Sequence, residues 1–239
     1  SSVYKIISIE ESLCIMKDWK MIQFDTETTG LDPHIDTSLM WQFGNIEGTV
    51  QIVVDCSTVS PKSYKEKLES SFIIGTNLGF DCKFAFKEGI ILRKVYDCMI
   101  VEQLLYLGFP NFMVGASQDT IDSYCQAVED CPNWNTMNSK QKSSYISQIV
   151  PEVAEFITYH SGVGLKALCY RYLNEDMDKS VRGEIIWRGI DDTTVLYGAG
   201  DVKPLYRIMQ AQFKILRQRD SVRAAKVDCD FVPVKAYYE

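Results

Sequence analysis

Histidine is scarce in this chain, with His34 and His160 the two imidazoles among 239 residues. Cysteine is present eight times, at 14, 56, 82, 98, 125, 131, 169 and 229, yet never at C-x-x-C spacing. Together these leave a zinc site of ordinary spacing with nothing to build on. Scattered thiols read instead as reduced, partly buried side chains of an intracellular protein in a reducing compartment. No stretch approaches the ~18 consecutive apolar residues of a membrane span, so no membrane is expected as a partner. No basic-then-apolar opening reads as a signal peptide. The chain begins Ser-Ser rather than Met, so a targeting segment can have been removed, and the organelle stays open. An excess of positive charge is lacking too: 25 Lys and Arg face 32 Asp and Glu, a net charge of −7. That balance excludes a grip on nucleic acid through bulk positive field. Residues 161–239 carry 13 basic against 11 acidic side chains, and residues 1–160 carry 12 against 21. Any nucleic-acid affinity should be modest and local, and the acidic balance suits a site that recruits divalent cations.

What is present is an ordinary globular composition, 46% hydrophobic and 24% charged, enough for one domain with an appendage. Tyr4–Ser8 has strand composition. Ser8 to Glu11 has capping-box spacing ahead of Leu13, Ile15, Met16 and Trp19. Met21–Glu27 alternates, with Ile22, Phe24 and Thr26 on one face and Gln23, Asp25 and Glu27 on the other. Leu39–Ile46 and Thr49–Cys56 predict a hairpin turning at Glu47-Gly48. Lys62–Ser70 predicts a helix, Phe72–Gly75 a buried strand, Phe80–Glu88 a helix, Lys94–Tyr96 a strand and Cys98–Leu107 a helix. The order is that of an α/β domain with a mixed sheet. Residues 108–160 break the pattern and are expected to be an insertion. Its polar centre, Asp130–Gln148, is read as a loop rather than a lid. Helical patterning resumes at Pro151, and Leu165–Leu173 is clearly amphipathic.

Three short motifs carry the chemistry. Asp25 and Glu27 leave one face of a strand about 7 Å apart at the backbone. Such a pair repels unless it is solvated or shares a cation, and the strand around it is otherwise apolar. In Asn77–Asp81 (NLGFD) an acid follows an Asn and an aromatic near a helix start, where a helix N-cap is the plainer account of Asp81. In Tyr197–Asp201 (YGAGD) the hydroxyl and carboxylate fall at i and i+4 on one helix face, and a tyrosine packed beside a solvated acid is the plain account. Gly198 and Gly200 weaken that helix by about 1 kcal/mol each, and Pro204 removes a further hydrogen bond. Small residues at that cost suggest close approach by another element.

In this order DTETTGL, NLGFD and YGAGD resemble the three exonuclease motifs of the DEDD superfamily, and Y-x-x-x-D resembles its tyrosine branch. The histidine branch carries His five positions before Asp, whereas Leu39 and Leu165 stand five after the two histidines here. LKALCYRYLNEDMDKS and YGAGDVKPL also resemble ribonuclease D and its relatives. The first two motifs are similar to the proofreading domain of family A DNA polymerases. Phe231–Glu239 is similar to the entry into their polymerase domain.

The resemblance implies a ribonuclease-H-like fold, a mixed five-stranded sheet flanked by helices. It places an exonuclease domain over residues 1–220, holding the 108–160 insertion, and a tail over 221–239. It further implies a 3′–5′ exonuclease that removes nucleoside monophosphates from single-stranded or frayed DNA 3′ ends, as a proofreading domain beside a polymerase domain or subunit. An exoribonuclease of the ribonuclease D kind and a non-catalytic nucleic-acid-binding or polymerase scaffold module are the rivals. By resemblance, two divalent cations, Mg²⁺ or Mn²⁺, are held by Asp25, Glu27, Asp81 and Asp201. Asp25 would bridge both, Tyr197 would orient the attacking water, and Thr28, Leu31, Asn77 and Phe80 would seat the terminal nucleotide. Core packing is the plain account of Leu31 and Phe80. Solvated surface is the plain account of Lys166, Arg171, Lys203 and Arg207, the candidate phosphate contacts.

Overall fold

The computed structural model describes residues 1–6, 8–105 and 116–239. Position 7 of the first expected strand, residues 106 and 107 of the expected helix and residues 108–115 of the expected insertion lie outside these. The chain divides into two compact units, one of residues 1–105 with 176–239 and the other of residues 106–175.

The first unit is built on six strands: β1 (Ser2–Ile6), β2 (Met21–Thr28), β3 (Ser38–Gly44), β4 (Val50–Asp55), β5 (Phe72–Gly75) and β6 (Lys94–Asp97). They lie in the order β1-β4-β3-β2-β5-β6. β3 runs antiparallel to both β2 and β4, while β1 with β4, β2 with β5, and β5 with β6 pair in parallel. The mixed α/β sheet is thus as expected, with six strands rather than five. β1, which overlaps the strand composition read from Tyr4 onward, pairs with β4 at the outer edge of the hairpin.

Its helices are α1 (Ile9–Ile15), α2 (Lys65–Glu69), α3 (Leu78–Lys87) and α4 (Cys98–Leu105). The second unit holds α5 (Gln118–Glu129), α6 (Ser139–Ile149), α7 (Pro151–Ser161) and α8 (Leu165–Leu173). Back in the first unit follow α9 (Ile185–Arg188), α10 (Asp192–Asp201), α11 (Leu205–Gln218) and α12 (Val222–Tyr238).

Alternation along the strands sorts the side chains between two faces. On one, Ile22, Phe24, Trp41, Phe43, Ile52 and Val54 join the core completed by Leu78, Cys82 and Ala85 of α3 and Val232 and Ala236 of α12. Phe24 stacks on Phe43 at 5.5 Å and meets Trp41 edge-on at 5.4 Å. On the other, Met40 and Val53 pack with Val195 and Ala199 of α10. Within the expected tail of 221–239, residues 222–238 form a helix whose Val232 and Ala236 sit in the main core.

Three local expectations need correction. Ser8 does not cap α1; its hydroxyl donates to the Glu10 carboxylate at 2.9 Å, so the side chains bond each other rather than the backbone. Pro204 costs α10 nothing, because the helix ends at Asp201 and the proline stands at the start of α11. Finally, 139–148 is helix, not loop. Asn138 and Gln141 form a capping box, and Ile146 packs with Ala127 and Val153 in the second unit's own small core. A single buried apolar residue in α6 left little periodicity to read. In that unit Arg171 donates to the carbonyls of Tyr159 and Gly162 at 3.3 and 2.8 Å, a structural use.

Candidate active site

β2 carries Asp25 and Glu27 on the face that α10 covers, and α10 brings Tyr197 and Asp201 to it. Two glycines set that approach. A Cβ on Gly44 would run into the carbonyl oxygen of Val202, and one on Gly198 would lie 2.7 Å from Nε2 of Gln42. The close approach expected of α10 is therefore to β3, made by Gly198; nothing lies within 4 Å of a Cβ on Gly200. Gln23 fastens the same end, donating to the carbonyls of Asn45 (2.7 Å) and Lys203 (3.4 Å) and accepting the amide of Tyr206 at 3.1 Å.

Carboxylate oxygens of Asp25, Glu27 and Asp201 all lie within 4.8 Å of one another. Burial and mutual repulsion shape their titration. Asp25 is held well above the usual carboxylate range, first by desolvation and then by the charges of Asp201, Asp81 and Glu27. Desolvation, helped by Asp201, pushes Glu27 up to about 7. Asp201 is raised by desolvation against the pull of Lys179. Three acids so placed form a hard-oxygen set of the kind that suits Mg²⁺ or Mn²⁺.

Asp81 is not the helix cap. Asn77 stands at the α3 N-cap with φ 54°, and Asp81 lies in the first turn, 2% exposed. It accepts a 2.6 Å hydrogen bond from the hydroxyl of Thr26. Desolvation raises it to about 7 despite that bond. It faces Asp25 and Glu27 electrostatically, yet stands apart from the three clustered acids. Asp97, at the end of β6, fixes the helix start. Its carboxylate accepts the amides of Asn77 (3.0 Å) and Leu78 (2.8 Å), and those of Met99 (3.0 Å) and Ile100 (3.4 Å) at the start of α4.

Tyr197 is part-buried, its hydroxyl paired with no protein group. Desolvation and the charges of Asp201 and Glu27 push its titration upward, so at neutral pH it is a donor. Of the nucleotide-seating candidates, Leu31 is 82% exposed, which removes core packing as its account. Phe80 is part-buried against Phe84 at 4.9 Å, Asn77 is exposed, and Thr28 donates to the carbonyl of Gly30 at 2.6 Å.

Sequence reasoning missed Lys179. Its ammonium donates to Asp201 at 2.6 Å and lies 5.1 Å from the centre of the Tyr197 ring. Arg182 adds positive charge facing Glu27, Asp201 and Tyr197. Both residues fall in a stretch without periodicity, where nothing local marks a lysine as inward-facing. Asp97 was missed because the α3 amides it accepts lie far back in the sequence, and Gln42 because the Gly198 that faces it lies far along the chain.

Among solved structures the chain aligns with NrnC of Brucella melitensis with bound Mg²⁺, at 16% identity, covering 99% of this chain and 90% of that one, with a TM-score of 0.63. The likeness is one of fold. Ribonuclease D of Escherichia coli, an exoribonuclease involved in structured RNA processing, is similar at 14% identity and TM-score 0.65, over 99% of this chain and 51% of that one. The catalytic core of RRP6 from Trypanosoma brucei is similar at 11% identity and TM-score 0.63, over 97% and 52%. No protein-family model and no curated protein matches the sequence. The likeness therefore stands on the fold alone, and in that fold Asp25, Glu27 and Asp201 converge, with Asp81 near them on α3.

Proposed function

We propose that the chain is a metal-dependent 3′–5′ exonuclease of the DEDD tyrosine branch, acting on single-stranded 3′ ends in the manner of ribonuclease D. The observation that carries this reading is the convergence of Asp25, Glu27 and Asp201, from opposite ends of the sequence, within 4.8 Å beside the Tyr197 hydroxyl. Two divalent ions, when bound, activate water and neutralise charge on the entering and leaving oxygens. Asp25, Glu27 and Asp201 would hold these ions, with Asp81 reaching them through water. Tyr197 keeps its proton and orients the attacking water by hydrogen bond. Leu31 and Phe80 offer an apolar edge and an aromatic face to the terminal base, with Thr28 and Asn77 alongside, which favours trimming without regard to sequence.

RNA is the preferred substrate in this reading. Ribonuclease D, similar over nearly the whole chain, is described as an exoribonuclease, and NrnC has been solved with pGG bound. Packing of α12 into the main core supports reading residues 222–238 as part of the exonuclease body. The similarity of the first two motifs to polymerase proofreading domains keeps DNA as the second reading. The test uses 5′-labelled single strands of RNA and of DNA with Mg²⁺ or Mn²⁺, an EDTA control and the Asp25→Ala protein. A one-nucleotide ladder on RNA, lost with EDTA and with the variant, is the expected result. A ladder on DNA alone moves the reading to proofreading, and binding without any ladder leaves a non-catalytic module.

A further inference from the structure

Four glutamines are buried among the described residues: Gln23, Gln42, Gln51 and Gln212. Three are tied into the protein. Gln23 makes the three bonds described above, Gln51 donates to the carbonyl of Gly48 at 3.0 Å, and Gln212 bonds Tyr96, Cys98 and Glu102. Gln42 is the exception. It is fully buried, yet neither its amide nitrogen nor its amide oxygen meets a protein partner. An amide left so is costly, and buried polar groups in folded proteins are otherwise paired.

Its position says what it faces. Gln42 is the cross-strand partner of Asp25 in the β2–β3 register. Such partners share a face of the sheet, with Cβ atoms about 5 Å apart. Above it lies Gly198, whose missing side chain is what gives the amide room. Gly198 follows Tyr197, the other residue of this face with a buried, unpaired polar atom. Two orphaned side chains therefore flank one acidic cluster, from a strand on one side and a helix on the other.

Asp25 stands with Glu27 and Asp201 within 4.8 Å on one side and opposite Gln42 across the sheet on the other. A cation shared with Asp201 would occupy the first side, and the buried, unpaired Gln42 amide is the donor within reach on the second. We propose that Gln42 is a positioning residue for the metal centre, its side-chain amide donating to the Asp25 carboxylate and fixing it in its cation-holding orientation. This rests on the reading of the site as a metal centre. An apolar side chain of the same length would fill the space as well, so packing alone does not require an amide here.

The test is Gln42→Met, of similar length and without a donor. The variant is expected to melt at the wild-type temperature or above in EDTA, to bind Mn²⁺ about tenfold more weakly by calorimetry, and to lose kcat with KM little changed. Unchanged Mn²⁺ affinity and kcat overturn the proposal while leaving the exonuclease reading intact. So does a lower melting temperature in EDTA with unaltered Mn²⁺ affinity, the mark of a packing role. A wild type that takes up no Mn²⁺ overturns the reading of the site, and this inference with it. If the variant does not fold, the side-chain amide resonances of Gln42 in the ¹³C,¹⁵N-labelled wild type decide, assigned through the residue's own Cγ and Cβ. They should shift on Mg²⁺ saturation, and resonances that stay in place overturn the proposal.

Discussion

The Asp97 carboxylate accepts the amide hydrogen of Leu78 at 2.8 Å, and that one bond ties the end of β6 to the start of the helix that carries Asp81. Its other oxygen takes Asn77, Met99 and Ile100, so a single side chain satisfies amides at two helix N-termini. Removing it strands those donors. Asp97→Ala should destabilise the protein by about 3 kcal/mol, the scale of losing hydrogen bonds to a charged group, read from urea unfolding. Nuclease activity at saturating Mg²⁺ should fall as well, because α3 no longer holds Asp81 in register.

Asp25 sits among acids that repel it. Asp25→Ala should abolish hydrolysis while the metal-free melting temperature holds or rises. A large fall in melting temperature would instead assign Asp25 a structural role.

Tyr197→Phe deletes a hydroxyl that bonds to no protein group. Stability should change little or improve, since no buried bond is broken. Turnover should fall by roughly a hundredfold, the low end of the ~10²–10⁴-fold range for a group that transfers a proton, because Tyr197 orients water without taking its proton. Damage as complete as that of Asp25→Ala would show that Tyr197 does more than orient water.

The pH dependence has a defined sign. Glu27 and Asp81 are raised to about 7 in the folded chain, from ordinary values near 4.5 and 3.8. The unfolded chain releases these protons first, so their contribution favours the fold below about pH 4 and is lost as pH rises through about 7. The metal-free protein should therefore melt at lower temperature at pH 8 than at pH 5. Mg²⁺ should raise the melting temperature strongly at pH 8 and little at pH 5, as differential scanning fluorimetry can show.

Lys179 supplies at Asp201 the positive charge that a cation would supply. Lys179→Met should lower the metal-free melting temperature and tighten Mn²⁺ binding. A part-buried pair worth about 1 kcal/mol corresponds to about fivefold in affinity, measured by calorimetry.

The fold was legible where periodicity was strong. The alternation of Met21–Glu27 placed Asp25 and Glu27 on one face, and the turn at Glu47-Gly48 marked the hairpin. The i, i+4 spacing of Tyr197 and Asp201 survived as one helix face. What stayed hidden depends on partners far along the chain. Nothing near Gln42 shows that Gly198 will press on it, and nothing near Lys179 shows that it turns toward Asp201. The helix at 139–149 was hidden for a local reason. Its polar surface carries one buried residue, and the Asn138–Gln141 cap, rather than an apolar stripe, marks where it begins.

The cluster also has an order of assembly. Asp25 and Glu27 leave the ribosome early, whereas Asp201 and the helix α12 that completes the core come at the very end of this stretch of chain. A nascent chain thus emerges with two of the three clustered acids and without the third. The acidic cluster stays incomplete until translation has passed Asp201.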